Sequence, residues 1–89
     1  MQEKKIEIVN NLGLHARAAA KLVATASRFG SKIEISREGK SVNGKSIMGV
    51  MMLGASKVTT IGVTAEGDDE NEAMIAIEDL VNNRFGEEA

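Results

Sequence analysis

Apolar and charged residues take turns along three short runs of this chain. Ile6 and Ile8 point one way while Lys5 and Glu7 point the other, Ile33 and Ile35 alternate with Lys32, Glu34 and Ser36, and Ile61, Val63 and Ala65 fall on every second position. A period of two is the pattern of a half-buried strand. Strands with one polar face call for an antiparallel sheet covered by helices on one side only, because the polar face stays in water. Between these runs the spacing changes. Ala19, Leu22, Val23 and Ala26 recur at helical intervals and predict a first helix over 16–27, with Gly30 just past its end. Glu38-Gly39 supplies a turn into a short further strand near Lys40 to Asn43, and a short helix follows Ser46 and runs to about Gly54. Asp69 with Glu72 reads as a capping arrangement for a last helix, whose apolar stripe is Ala73, Ile77, Leu80 and Val81 before Gly86. The Glu87-Glu88-Ala89 tail is expected to be loose. The order is β-α-β-β-α-β-α, a two-layer α+β open-faced sandwich with its helices on one face. No repeat or linker interrupts it, and residues 1–89 read as a single domain.

Size and composition then exclude whole classes of function. A chain of 89 residues buries only about 60% of its unfolded surface, which leaves one modest core and no cleft of enzyme size. A net charge of -2 with only Phe29 and Phe85 as aromatics argues against a nucleic-acid surface, which needs a basic stripe or a stacking platform. With no cysteine and a single histidine, neither a disulfide framework nor a thiolate or histidine metal cluster is expected, and no bound metal or cofactor is called for. Met1-Gln2-Glu3-Lys4-Lys5 lacks the apolar core of a signal peptide, and no stretch approaches the ~20 apolar residues of a membrane span. The default expectation is a soluble cytoplasmic monomer that inserts into no membrane.

That single histidine stands at a chemically unusual place. Gly13-Leu14-His15-Ala16-Arg17 puts His15 between the first strand and the alanine-rich helix. A helix start leaves backbone N–H groups unpaired and carries the positive end of the macrodipole, so it favours an anion such as phosphate. Arg17 adds a fixed positive charge there, and imidazole is a nucleophile near neutral pH. A phosphohistidine site is the reading that uses all of these; a helix-start histidine with a solvated ring is the plainer one.

Two separated motifs decide between them. Asn11-Leu12-Gly13-Leu14-His15-Ala16-Arg17-Ala18-Ala19 closely resembles the active-site segment of the HPr family, the histidine-containing phosphocarriers of the bacterial phosphotransferase system. Asn43-Gly44-Lys45-Ser46-Ile47-Met48-Gly49-Val50-Met51-Met52-Leu53-Gly54 resembles the second signature of that family, around its regulatory serine, and the spacing from His15 to Ser46 also fits. The likeness continues through Ile61-Gly62-Val63-Thr64-Ala65-Glu66-Gly67 and the final acidic helix, so it covers nearly the whole chain.

The resemblance implies a four-stranded antiparallel sheet and a carrier, not an enzyme. On that reading enzyme I phosphorylates His15 on Nδ1 and the phosphoryl group passes to an EIIA component of a sugar permease or to a regulatory acceptor. Arg17 pairs with phosphate oxygens, and the backbone N–H groups of Ala16 and Arg17 are further donors. Ser46 is the matching target of an HPr kinase/phosphorylase, alongside a plain structural role as the cap of the short helix. That helix is apolar nearly all round, although a helix on a sheet buries one side only, so Ile47, Met48, Met51 and Met52 are the expected docking patch for partner proteins, with Leu14, Ala20 and Ala24 as neighbours. The plainer alternative for the methionines is burial beneath a loop.

Three features point elsewhere. Gly39-Lys40-Ser41-Val42-Asn43-Gly44-Lys45-Ser46 matches the G-x-x-x-x-G-K-[ST] pattern of a nucleotide-binding P-loop. A P-loop needs a buried strand before it, a substantial helix after it and further parallel strands, none of which this chain offers. Ala18 stands where the family commonly has proline, and Val58 where it often has glycine, which puts in question the rigidity of the first turn and the loop before the last strand. The alternative function is an HPr-like regulator in a nitrogen-linked or incomplete phosphotransferase system, to which Asn11-Leu12-Gly13 gives slight support.

Overall fold

In the computed structural model, which describes residues 1–88, the chain runs β1 (Gln2–Glu7), α1 (Ala16–Ser27), β2 (Lys32–Arg37), β3 (Lys40–Asn43), α2 (Ile47–Met52), β4 (Thr60–Glu66) and α3 (Glu70–Asn82), closed by a 3-10 turn over Arg84–Gly86. The strands form one antiparallel sheet in the order β1-β4-β2-β3, so the first and last strands to be made in the N-terminal half are its edges. Register follows the period-two pattern. Ile6 pairs with Ile61, and Val63 pairs with Ile35, which in turn pairs with Val42, so the apolar residues of all four strands share one face. The other face carries Lys5, Glu7, Glu34 and Ser36. The expected α+β open-faced sandwich is what forms.

The core lies between that apolar face and the helices. Ile6, Ile33, Ile35, Ile61 and Val63 from the strands, with Ile8 just past β1, meet Ala18, Ala19, Leu22 and Ala26 of α1 and Ala73, Met74, Ile77 and Val81 of α3. Phe85 is fully buried as well, which ties the closing turn to the same core. Each fully buried aliphatic side chain contributes about 1.5–3 kcal/mol, the only large favourable term available to a chain of this size. Among the described residues no helix is long and apolar enough to cross a membrane.

Capping differs from the sequence expectation at α3. Asp69 makes no side-chain bond to its own helix. Its carboxylate instead accepts from the Gly30 N–H at 2.9 Å, the Ser31 N–H at 3.0 Å and the Ser31 hydroxyl, across the α1–β2 connection. Ser31 is buried, and an unpaired N–H there would cost more than a helix end that water can satisfy. Glu72 is exposed, and Glu70 is the residue that reaches back, accepting from the Gly67 N–H at 3.1 Å.

The P-loop pattern is spread over a turn, the edge strand β3 and the link that ends at Ser46, the cap of the six-residue helix α2. Lys45 donates to the Phe29 carbonyl at 2.8 Å, so its amine ties the α1–β2 connection to the entry of α2 and is not aimed at a phosphate cradle.

Candidate functional site

The connection from β1 to α1 is shaped by Gly13. Its φ of 65° is left-handed, and a Cβ there would lie 2.5 Å from the Ala55 carbonyl oxygen, so only glycine fits. The close approach lets the Leu14 N–H donate to that same carbonyl at 2.9 Å, which pins the loop immediately before the histidine.

His15 is the N-cap of α1, with extended backbone (φ -72°, ψ 176°), and its carbonyl accepts from the Ala19 N–H at 2.8 Å. Its side chain does not cap the helix. Ala16 and Arg17 are therefore the first two helical residues, whose N–H groups have no acceptor within the helix and face the same end as the imidazole. Arg17 is exposed and makes no ion pair among the described residues. Ala18, at the family's proline position, is fully buried in the third helical position, where its N–H has no helical acceptor either. The departure costs no hydrogen bond.

Two residues that sequence reasoning missed complete the site. Glu87 is not in a loose tail: it accepts a hydrogen bond from Asn10 Nδ2 at 2.9 Å and meets the Nε2 atom of His15 with its other oxygen. Glu88 is exposed, and Ala89 lies outside the described residues. Asn10 is fully buried and donates from the same amide nitrogen to the Gly13 carbonyl at 2.9 Å. These contacts, the Asn10 amide first and His15 second, hold the Glu87 carboxyl below its ordinary range. Asn10 carried one weak signal, a polar residue between a strand end and a glycine turn; Glu87 carried none.

Asn11, Leu12, His15, Arg17 and Glu87 line one open depression. It is a landing place on a surface, with no enclosed chamber. Among the described residues no group of acidic, histidine or cysteine side chains could hold a metal.

The other singled-out residues lie on neighbouring elements. Ser46 caps α2, its hydroxyl accepting from the Gly49 N–H at 3.2 Å. Helix α2 packs on α1 and turns Val50 inward, leaving Met48 at 73%, Met52 at 75%, Ile47 at 45% and Met51 at 42% exposure. The methionines are thus on the surface, not beneath a loop. Ala20 and Ala24, four residues apart, are exposed on α1. Leu14 is the exception: it is only 5% exposed and belongs to the core, because the Gly13 turn that presents His15 drives the preceding side chain inward.

A family model described as the PTS HPr component phosphorylation site matches residues 2–83 of this chain. The phosphocarrier protein HPr of Neisseria meningitidis is 53% identical over 98% of both chains. The crystal structure of HPr-C-His from Thermoanaerobacter tengcongensis, also 53% identical and covering 100% of both chains, superposes with a TM-score of 0.96. A dimer of HPr from the same organism covers 98% of this chain with a TM-score of 0.79. With the family model over residues 2–83, half of the residues identical along the whole length and the fold shared at this level, the chain belongs to the HPr family of phosphotransferase-system phosphocarriers.

Proposed function

We propose that this protein accepts a phosphoryl group from enzyme I on Nδ1 of His15 and passes it to an EIIA component of a sugar permease or to a regulatory acceptor. The observation that carries this reading is the placement of His15 at the start of α1, where the ring and Arg17 line one open depression beside first-turn N–H groups that have no acceptor within the helix. The imidazole supplies the nucleophile. Charge spread over the phosphoryl oxygens during transfer is met by the guanidinium and the helix end, so no metal or cofactor is needed. The protein is a covalent substrate of its partners, not an enzyme.

Exposed Ile47, Met48, Met51 and Met52, with Ala20 and Ala24, form the surface on which enzyme I and EIIA dock, because adaptable thioether side chains fit more than one partner. Ser46 is the site at which an HPr kinase/phosphorylase would act. The working state is a cytoplasmic monomer, which light scattering of the purified protein tests against the dimer seen for the Thermoanaerobacter tengcongensis relative.

Incubation with enzyme I and phosphoenolpyruvate should place one acid-labile, alkali-stable phosphoryl group on His15. His15→Ala should abolish it in a protein that stays folded, since the ring is partly exposed and caps nothing with its side chain. Arg17→Ala should keep acceptance but slow transfer, roughly a hundredfold by analogy with removal of one charge-stabilising donor. Acid-stable label, or full labelling of the His15→Ala protein, would overturn the carrier assignment.

A further inference from the structure

We infer that Glu87 is a positioning residue that keeps the imidazole proton of His15 on Nε2 and so leaves the Nδ1 lone pair free for phosphorus, an inference that rests on the carrier reading. Asn10 anchors the arrangement. Its amide nitrogen must donate to both the Gly13 carbonyl and Glu87, since the reversed amide would set oxygen against oxygen at both contacts. The same contact helps hold Glu87 below its ordinary range as a carboxylate, so its second oxygen is an acceptor too and the atom facing it has to bring the proton. That atom is Nε2 of His15.

The carboxylate is held there by its own turn. Arg84, Phe85 and Gly86 have φ of 56°, 54° and 79°, three left-handed residues in succession, of which two are not glycine. Such a backbone persists only where its surroundings over-determine it. Here Phe85 is fully buried, Lys21 Nζ donates to the Phe85 carbonyl at 2.6 Å, and the Glu87 N–H donates to the Arg84 carbonyl at 2.9 Å. This turn, built from residues distant in sequence from the histidine, ends with its carboxylate on the ring.

The transfer step balances without moving that proton. The Nδ1 lone pair forms the bond to phosphorus as the bond from phosphorus to the donor enzyme breaks, its electron pair staying with the donor. The ring keeps hydrogen on Nε2 and becomes a phosphorylated cation, which the Glu87 carboxylate faces directly. In onward transfer the phosphorus–Nδ1 bond breaks and its pair returns to Nδ1. Glu87 opposes the positive charge in both directions without touching phosphorus.

A pair of substitutions separates this role from simple packing. In Glu87→Gln the introduced amide must turn its oxygen to Asn10, so its nitrogen donates to His15 Nε2 and forces the ring proton onto Nδ1. Glu87→Ala frees the ring instead. Long-range proton–nitrogen NMR of the histidine at alkaline pH should show the Nε2–H form in the native protein, a mixture in Glu87→Ala and the Nδ1–H form in Glu87→Gln. Rates of acceptance from enzyme I should fall in the same order, with Glu87→Gln roughly tenfold slower than Glu87→Ala. A conservative variant that is worse than alanine is the reverse of what a packing role gives. An unchanged tautomer in Glu87→Gln, or a Glu87→Gln rate equal to the native rate, would overturn the inference. The spectra need no partner protein, so a native protein with the Nε2–H form that enzyme I does not phosphorylate refutes the carrier reading and leaves the proton placement standing.

Discussion

Val58 has a φ of 72° although its side chain is β-branched and 66% exposed. A left-handed backbone brings Cβ against the following carbonyl at a cost of about 1–2 kcal/mol, and exposure means that little packing offsets it. What holds the conformation is the pairing of the loop with Ile8, just past the end of β1: the Val58 N–H donates to the Ile8 carbonyl at 2.8 Å and the Ile8 N–H to the Thr59 carbonyl at 2.9 Å. The family's frequent glycine at this position therefore has a backbone reason. Val58→Gly should raise stability by about 1 kcal/mol and move the thermal midpoint upward by roughly 4–8 °C, with no change in phosphoryl acceptance. Urea titration reads the effect directly; a midpoint lower than that of the native protein would place the strain elsewhere.

Helix α2 combines a cap and a surface in six residues. The Ser46 hydroxyl on the Gly49 N–H is worth about 1 kcal/mol, and aspartate caps as well as serine does. Ser46→Asp should accordingly keep the native midpoint while its charge, set beside Met48, opposes docking and slows phosphorylation of His15. Measuring the rate with enzyme I at low and high salt decides it, since an electrostatic effect shrinks with added salt; an equal rate at both leaves Ser46 with its cap alone. The exposed row is tested separately. Met48→Glu should weaken enzyme I binding by at least tenfold, about 1.4 kcal/mol, with the thermal midpoint within a few degrees of native, because a charge at a 73% exposed position buries nothing. Unfolding of that variant would mean that the helix packs inward after all.

For the molecule as a whole, three carboxylates fasten segments that are far apart in sequence. Asp69 holds the α1–β2 connection, Glu70 the amino group of Met1 at 3.0 Å, and Glu87 the loop around Asn10. Each titrates below its ordinary value, 3.8 for Asp69 chiefly through the Ser31 hydroxyl and then the Gly30 N–H, and 4.5 for Glu70 and Glu87 chiefly through the Gly67 N–H and the Asn10 amide. As pH falls through these values the unfolded chain takes up protons before the folded one does. Stability contributed by these groups is therefore complete above the ordinary values and is lost on acidification through and below them. Asp69→Asn should be less stable than the native protein at neutral pH, and the gap between the two should close as the pH drops below 3.8. Denaturant midpoints taken across that range check the sign. A gap that stays constant with pH would show that the charge of Asp69 is immaterial.

The sequence by itself determined which residues are strand and which are helix, because periods of two and of about 3.6 are local properties of the chain and the core simply follows them. Helix α1 over Ala16–Ser27 was legible for that reason, strand β3 over Lys40–Asn43 from the Glu38-Gly39 turn before it, and the Ser46 cap from its place before a short helix. Tertiary structure alone decided the rest. Asp69 reads as a cap for its own helix until Gly30 and Ser31 are folded against it, and Leu14 reads as a surface neighbour until Gly13 turns it inward. Glu87 reads as solvated tail until a left-handed turn on a buried Phe85 delivers it to a histidine 72 positions away. Periodicity reports which face of an element is apolar; it holds no information about which loops meet, and a polar side chain takes its partner from whatever the packing of the core brings within reach of a hydrogen bond.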